Sequence, residues 1–267
     1  MERGLGLSET KMSCSGCRDG KALDFQFSMA FQPIVDVETG RPFAFEALVR
    51  GTANEGAGEI LGRVTERNLY AFDQACRVKA IETAAKAGLL ETPARLSINF
   101  LPNAVYSPKA CIQLTLKTAA AVGMPPDRLI FEFTENERMT DPTHVAGIVD
   151  SYREMGFGTA LDDFGAGHAG LGLLARFQPD IIKLDMDLIR GVEASLPRRI
   201  IVDGVARMCR QLGITVIAEG VETVAELEAL RAVGIRYFQG YLFARPGFEV
   251  LPTADLSPLR LEARLAG

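Results

Sequence analysis

From about residue 26 the chain alternates between apolar, strand-like runs and helix-patterned segments, and this alternation restricts the fold more than any other feature. The runs are FQFSMAFQPIVDV, FAFEALVRG, RLSINFLP, RLIFEFTE, GTALDDFG, DIIKLDM, TVIAEGVE and YFQGYLFARP. A strand that returns to the sheet through a helix pairs in parallel, and strands covered by helices read as nearly continuous apolar runs. Eight such units in about 230 residues suit a TIM-type (β/α)8 barrel of the α/β class better than an open sheet. The first two runs lack a full helix between them, so the barrel is expected to be modified and irregular at its first strands. Ile201, Val205, Met208 and Leu212 follow an i, i+4, i+7, i+11 spacing that predicts one apolar helical stripe. No internal repeat or low-complexity tract is visible, and 267 residues at 48% hydrophobic can bury the core of one domain. The expected organisation is a flexible leader over 1–24, a barrel over 25–255 and a tail over 256–267.

The net charge of −5, with both signs scattered along the chain, argues against a surface for a nucleic-acid polymer and fits a locally held small ligand. No apolar run is long enough for membrane insertion and the N-terminus lacks the apolar core of a signal peptide, so a cytoplasmic location is expected. Cys76, Cys111 and Cys209 lie in apolar periodic segments and read as core thiols. Cys14 and Cys17 form a CxxC in the leader, which supplies only half of a tetrahedral zinc site.

Barrel proteins place their chemistry at the C-terminal ends of the strands. The polar residues that close the apolar runs are Glu46, Asn99, Glu132 with Glu135, Asp162 with Asp163, Lys183, Glu219 and Gln239. Any one of them alone would be an ordinary strand-end polar group, but a barrel gathers them into one ring. Carboxylates so gathered repel unless cations neutralise them or their pKa values rise. Oxygen donors without a Cys or His cluster select Mg²⁺ or Mn²⁺ over zinc or copper. Two such ions sharing a bridging carboxylate polarise a phosphoryl oxygen and activate water, which is the machinery of phosphodiester hydrolysis. Lys183 within the ring either orients the reaction or simply balances buried charge.

The stretch LDDFGAGHAG, residues 161–170, also spells GxGxxG and DFG. A kinase needs an HRD loop, yet neither His144 nor His168 is followed by Arg-Asp. A dinucleotide fold offers bare backbone N–H groups to a pyrophosphate, whereas here Asp162 and Asp163 stand immediately before the glycines. GCRDGK near the start is one residue short of a Walker A loop.

The ordered series FQPIVD, FEALVRG, NF, FEFTE, LDDFG, IKLD, AEGVET and QGYLFARP, spread from about residue 28 to 248, resembles the EAL-domain phosphodiesterases. Those proteins hydrolyse the bacterial second messenger cyclic di-GMP to linear pGpG. The resemblance implies that Glu46, Asn99, Glu132 and Asp162 hold a first ion, and that Asp162 bridges to a second held by Asp163 and Glu219. It implies catalytic roles for Lys183, Glu219, Asp162 and Asp163, with Gln32, Glu46, Leu48, Arg50 and Gln239 at the substrate. Glu135 is similar to the glutamate that anchors the loop after the aspartate pair, near which family members dimerise. Mg²⁺ or Mn²⁺ is the implied cofactor, with Ca²⁺ expected to inhibit, and a homodimer the implied assembly. The chain departs from the family at Phe31, where Tyr is usual, and at His168, Ala169 and Gly170, where an aromatic and two serines are common. The alternative expectation is a catalytically inactive cyclic di-GMP receptor or protein-interaction module, but such members lose metal ligands that this chain keeps.

Overall fold

The computed structural model describes residues 23–105, 107–134, 142–167 and 170–260. Cys14, Cys17, Glu135, His168 and Ala169, most of the expected leader and the last residues of the expected tail lie outside the described residues. Nine strands are present among the described residues: β1 (Ser28–Asp36), β2 (Arg41–Arg50), β3 (Arg95–Asn99), β4 (Leu129–Thr134), β5 (Gly158–Phe164), β6 (Ile181–Leu184), β7 (Thr215–Ala218), β8 (Tyr237–Phe238) and β9 (Gly247–Phe248). The longer helices are α1 (Leu69–Lys86), α2 (Gln113–Val122), α3 (Pro142–Glu154), α4 (Leu196–Leu212) and α5 (Val224–Ala232).

Strands β2 to β8 pair in parallel in chain order, and β1 closes the barrel by pairing antiparallel with both β2 and β8. The expected eight-stranded barrel and its irregular start are therefore both present. The cause of the irregularity is local: only residues 37–40 join β1 to β2, with Gly40 at φ +65°, too short a link for a parallel crossover. The last expected run contributes only Tyr237–Phe238 to the barrel, and β9 is a further two-residue strand against Ala30 and Phe31 of β1.

One expectation is corrected. The buried positions of α4 are Val202, Ala206 and Cys209, whereas Ile201 and Leu212 are exposed and Val205 and Met208 only flank the core. The helix is rotated by one residue from the face that the most hydrophobic side chains suggest, because small residues allow closer approach to the sheet. Cys111 and Cys209 are buried free thiols, and Cys76 is partly buried.

Strand alternation builds the barrel interior in layers. Ile34, Ala44, Ile130, Ala160, Ile181 and Ile217, one from each of six strands, form an apolar cluster separate from the main core, with Phe43 and Tyr237 packed against it. Two positions along each of those strands stand Gln32, Glu46, Glu132, Asp162, Lys183 and Glu219, the last just past the end of β7. The period-two rule therefore puts a polar ring directly above an apolar floor, while Leu96, Ile98, Phe131, Phe133 and Leu161 point outward into the main core beneath the helices.

Candidate active site

Lys183 is fully buried at the centre of the ring. Its Nζ lies 2.6 Å from Glu219 Oε1, 2.9 Å from Glu132 Oε2, 3.1 Å from Asp162 Oδ1 and 3.3 Å from Glu46 Oε2. Burial disfavours the ammonium, but Asp162, Glu132, Glu219 and Glu46 outweigh it and hold the lysine well above its usual pKa. Burial also pushes Glu132 up to about 8, opposed by Lys183 and reinforced by Glu46 and Asp162. Glu219 is raised well above the carboxylate range by burial and then by Asp162. One positive charge against four acids leaves a net negative site, which is an electrostatic demand for further cations.

Two groups of three carboxylates, Glu46 with Glu132 and Asp162, and Asp162 with Asp163 and Glu219, each bring their oxygens within 4.8 Å of one another. Asp162 belongs to both. The donors are all oxygens, so this set fits hard divalent ions. Asn99 Nδ2 donates to Glu46 Oε1 at 3.0 Å, which leaves the amide oxygen available as a further donor atom. Beneath them Ser97, fully buried, donates its hydroxyl to Glu132 Oε1.

Local backbone geometry aims these groups. Asp163 adopts φ +54°, a left-handed conformation uncommon for a residue with a side chain, and its N–H donates to Asp162 Oδ1 at 3.0 Å. Its carboxyl is pushed up to about 6, by burial first and then by Asp162 and Asp185. Glu219 is fixed by a tight passage: its N–H donates to Leu184 O, and Gly220 follows at φ +64° against Met186. Thr223 and Glu226 then close a capping box at the start of α5, with the Glu226 carboxylate also accepting from the N–H of Glu222.

On the opposite wall Gln239 Nε2 donates to Glu46 Oε2 at 2.7 Å and to Gln32 Oε1 at 3.2 Å, and Gln32 Nε2 donates to Ala244 O. These residues share a 300 Å³ pocket with Asp162, Asp163, Lys183, Glu219 and Tyr241. Leu48 and Arg50 lie elsewhere, in an adjoining 470 Å³ apolar cleft that also reaches Asn99, Leu61 and Phe72. The expected site residues thus divide between an acidic pocket and a greasy neighbour, joined through Glu46 and Leu48, two positions apart on β2.

Ser97 and the buried Asp73–Arg77 pair behind the ring were not foreseen from the sequence. Ser97 closes no apolar run. An i, i+4 Asp–Arg pair reads as a solvated helix face until the fold is known.

A closed β/α barrel with buried acids at the C-terminal strand ends defines the class, a barrel protein built around a polyanionic pocket. The EAL domain family model matches residues 21–246, and the chain belongs to that family. A standalone EAL protein from Vibrio cholerae O395, solved with c-di-GMP bound, is 50% identical with a TM-score of 0.85, covering 89% of this chain and 99% of that one. BlrP1 from Klebsiella pneumoniae, solved with manganese and cyclic di-GMP, is 38% identical with a TM-score of 0.79, covering 86% and 58%. Among curated relatives, the blue light- and temperature-regulated antirepressor BluF of Escherichia coli (strain K12) is 35% identical over 84% of this chain and 55% of its own length. The cyclic di-GMP phosphodiesterase PA2567 of Pseudomonas aeruginosa is 30% identical over 82% and 38%. The chain therefore spans about half or less of these two curated relatives.

Proposed function

We propose that the chain hydrolyses cyclic di-GMP to linear pGpG with two divalent cations, Mg²⁺ or Mn²⁺. The observation that carries this reading is the pair of carboxylate triads sharing Asp162. Glu46, Asn99, Glu132 and Asp162 would hold one ion, and Asp162, Asp163 and Glu219 the other. When bound, such ions polarise the phosphoryl group and activate water. Lys183 places an ammonium at the level of the ring, where it orients the water or offsets charge gathering on the phosphate. Gln239 and Gln32 hold the Glu46 wall in register and present amides to the substrate. Leu48 supplies an apolar surface for a base, and the Arg50 guanidinium at the cleft suits a phosphate. Water's oxygen joins phosphorus, one P–O ester bond breaks, and the ribose oxygen released takes up a proton.

Manganese and cyclic di-GMP together in the BlrP1 structure, and the name of PA2567, support the substrate and metal class. Glu135 as loop anchor, a homodimer near that loop, a cytoplasmic location and a barrel unit spanning 25–255 belong to the same reading. Among the described residues no helix is long and apolar enough to cross a membrane. A second reading, a nucleotide receptor or protein-interaction module without turnover, is favoured by BluF being named an antirepressor. Incubating the purified protein with cyclic di-GMP and Mn²⁺, followed by chromatography, separates the two. Accumulating pGpG supports the hydrolase; tight binding without product overturns it in favour of the receptor.

A further inference from the structure

Behind the ring, on the outer face of β3 and β4, lies a polar cluster whose Asp73 and Phe100 also line the cleft of Leu48 and Arg50. Arg77 of α1 is fully buried and forms an ion pair with Asp73 one turn earlier on the same helix. Its guanidinium donates to Tyr152 Oη of α3 at 3.3 Å. The guanidinium carbon sits 5.7 Å from the ring centroid of Phe100 and 5.9 Å from that of Phe131. Phe100 and Phe131 also pack against Tyr152, at 5.6 and 5.0 Å.

The sequence neighbours of these rings decide the cluster's significance. Phe100 follows Asn99, and Phe131 precedes Glu132, so alternation that turns the two rings outward onto Arg77 turns the two oxygen donors inward. Two main-chain bonds lock the arrangement. The other oxygen of Asp73 accepts from Leu101 N–H at 3.0 Å, and Phe100 N–H donates to the Glu132 carbonyl at 2.8 Å. The segment carrying Asn99 is thereby tied on one side to α1 and on the other to the backbone of Glu132.

A buried ion pair gives little net stability compared with apolar side chains of the same volume, so sealing this layer does not by itself call for charge. What charge and hydrogen bonds add is direction, because the two terminal nitrogens of Arg77 and both oxygens of Asp73 have partners in one geometry, with only Arg77 Nε unpartnered, where an oily layer has many. We infer that Asp73, Arg77 and Tyr152 are positioning residues that fix the ends of β3 and β4, setting the separation of Asn99 and Glu132 and hence the affinity of the first cation position. This inference rests on the two-cation reading of the ring.

The test replaces the cluster by apolar groups of similar size, Asp73→Leu/Arg77→Met/Tyr152→Phe, in the full chain. Three measurements are made: Mn²⁺ affinity by electron paramagnetic resonance titration, thermal melting with chelator, and hydrogen exchange at the Leu101 amide. The expected result is a melting temperature unchanged or raised, faster exchange at Leu101, and Mn²⁺ affinity weakened roughly tenfold, as for loss of supporting groups around other metal ligands. Tyr152→Phe alone, which removes one hydroxyl and keeps the ion pair, is expected to move the Mn²⁺ affinity in the same direction and serves if the triple variant does not fold. Wild-type Mn²⁺ affinity in a folded variant overturns the positioning role and leaves the reading of the ring intact. A wild-type protein that binds no Mn²⁺ overturns both.

Discussion

Lys183 Nζ stands 2.6 Å from Glu219 Oε1, the shortest of its four carboxylate contacts, and Lys183 is almost wholly withdrawn from solvent while the Glu219 side chain stays 16% exposed. Replacing Lys183 by Met leaves four acids in one pocket with no internal cation. The metal-free variant is expected to lose up to about 3 kcal/mol of stability, since removing one partner of a buried pair strands the other. Protonation of Glu132, already pushed up to about 8, offsets part of that loss. Mn²⁺ should restore the melting temperature of K183M more than it raises that of the wild type, while turnover stays absent. Equal metal-induced shifts in both proteins would contradict this account.

Asp162→Asn keeps the shape of the shared ligand and removes its charge. Loss of a group supporting a metal ligand costs roughly 10- to 100-fold, so loss of the proposed bridging carboxylate itself should lower turnover at least about a hundredfold. The circular dichroism spectrum and melting temperature should stay close to wild type. Retained turnover would remove the two-cation assignment.

Calcium takes more oxygen ligands at longer distances and in more flexible geometry than Mg²⁺. It should therefore occupy the acids and retain cyclic di-GMP without supporting hydrolysis. Adding Ca²⁺ to the Mn²⁺-loaded protein should slow pGpG formation, with nucleotide binding preserved in a filter or calorimetric assay.

Gly240 passes so close to the main chain of Val221 that a Cβ would lie 2.0 Å from its oxygen and 2.4 Å from its nitrogen. Neither can swing aside, because Val221 N–H donates to Gln239 O and Leu242 N–H donates to Val221 O. Gly240→Ala should destabilise the fold by about 1–3 kcal/mol, in the range of an overpacked core. It should also displace Gln239 and weaken cyclic di-GMP binding. Urea denaturation and a binding titration measure the two effects.

At the far end of the barrel Arg236 donates to both oxygens of Asp36, at 2.7 and 2.5 Å. This pairing, against some burial and with help from Thr39 and the Glu38 N–H, lowers the Asp36 pKa from 3.8 to about 2. The unfolded chain therefore takes up the proton at higher pH than the folded one, so the stabilisation is complete above the unfolded value and disappears as pH falls through the folded value. The stability gap between wild type and Asp36→Asn should be constant near neutrality and close as pH drops from 3.8 to about 2. A gap independent of pH across that window would show that the charge contributes nothing.

The residues legible in the sequence were those whose position follows from period two. Glu46, Glu132 and Lys183 each stand two positions beyond Ala44, Ile130 and Ile181 of the apolar floor, so the alternation that marks a strand also marks the ring. Packing closeness is invisible to that rule. Ile201 and Leu212 are the more hydrophobic residues of α4, yet Ala206 and Cys209 face the sheet. Asp73 and Arg77 have the spacing of a surface pair, and only the arrival of Phe100, Phe131 and Tyr152 from distant segments buries them. Strand β9 was missed because two residues carry no periodicity.

The apolar floor made by Ile34, Ala44, Ile130, Ala160, Ile181 and Ile217 closes the barrel beneath the ring. On the proposed reading, ions, water and nucleotide reach the ring from the side opposite that floor. A water molecule that is to react with a seated phosphodiester has to be inside before the guest arrives. On that reading the order of arrival follows from the walls of the barrel.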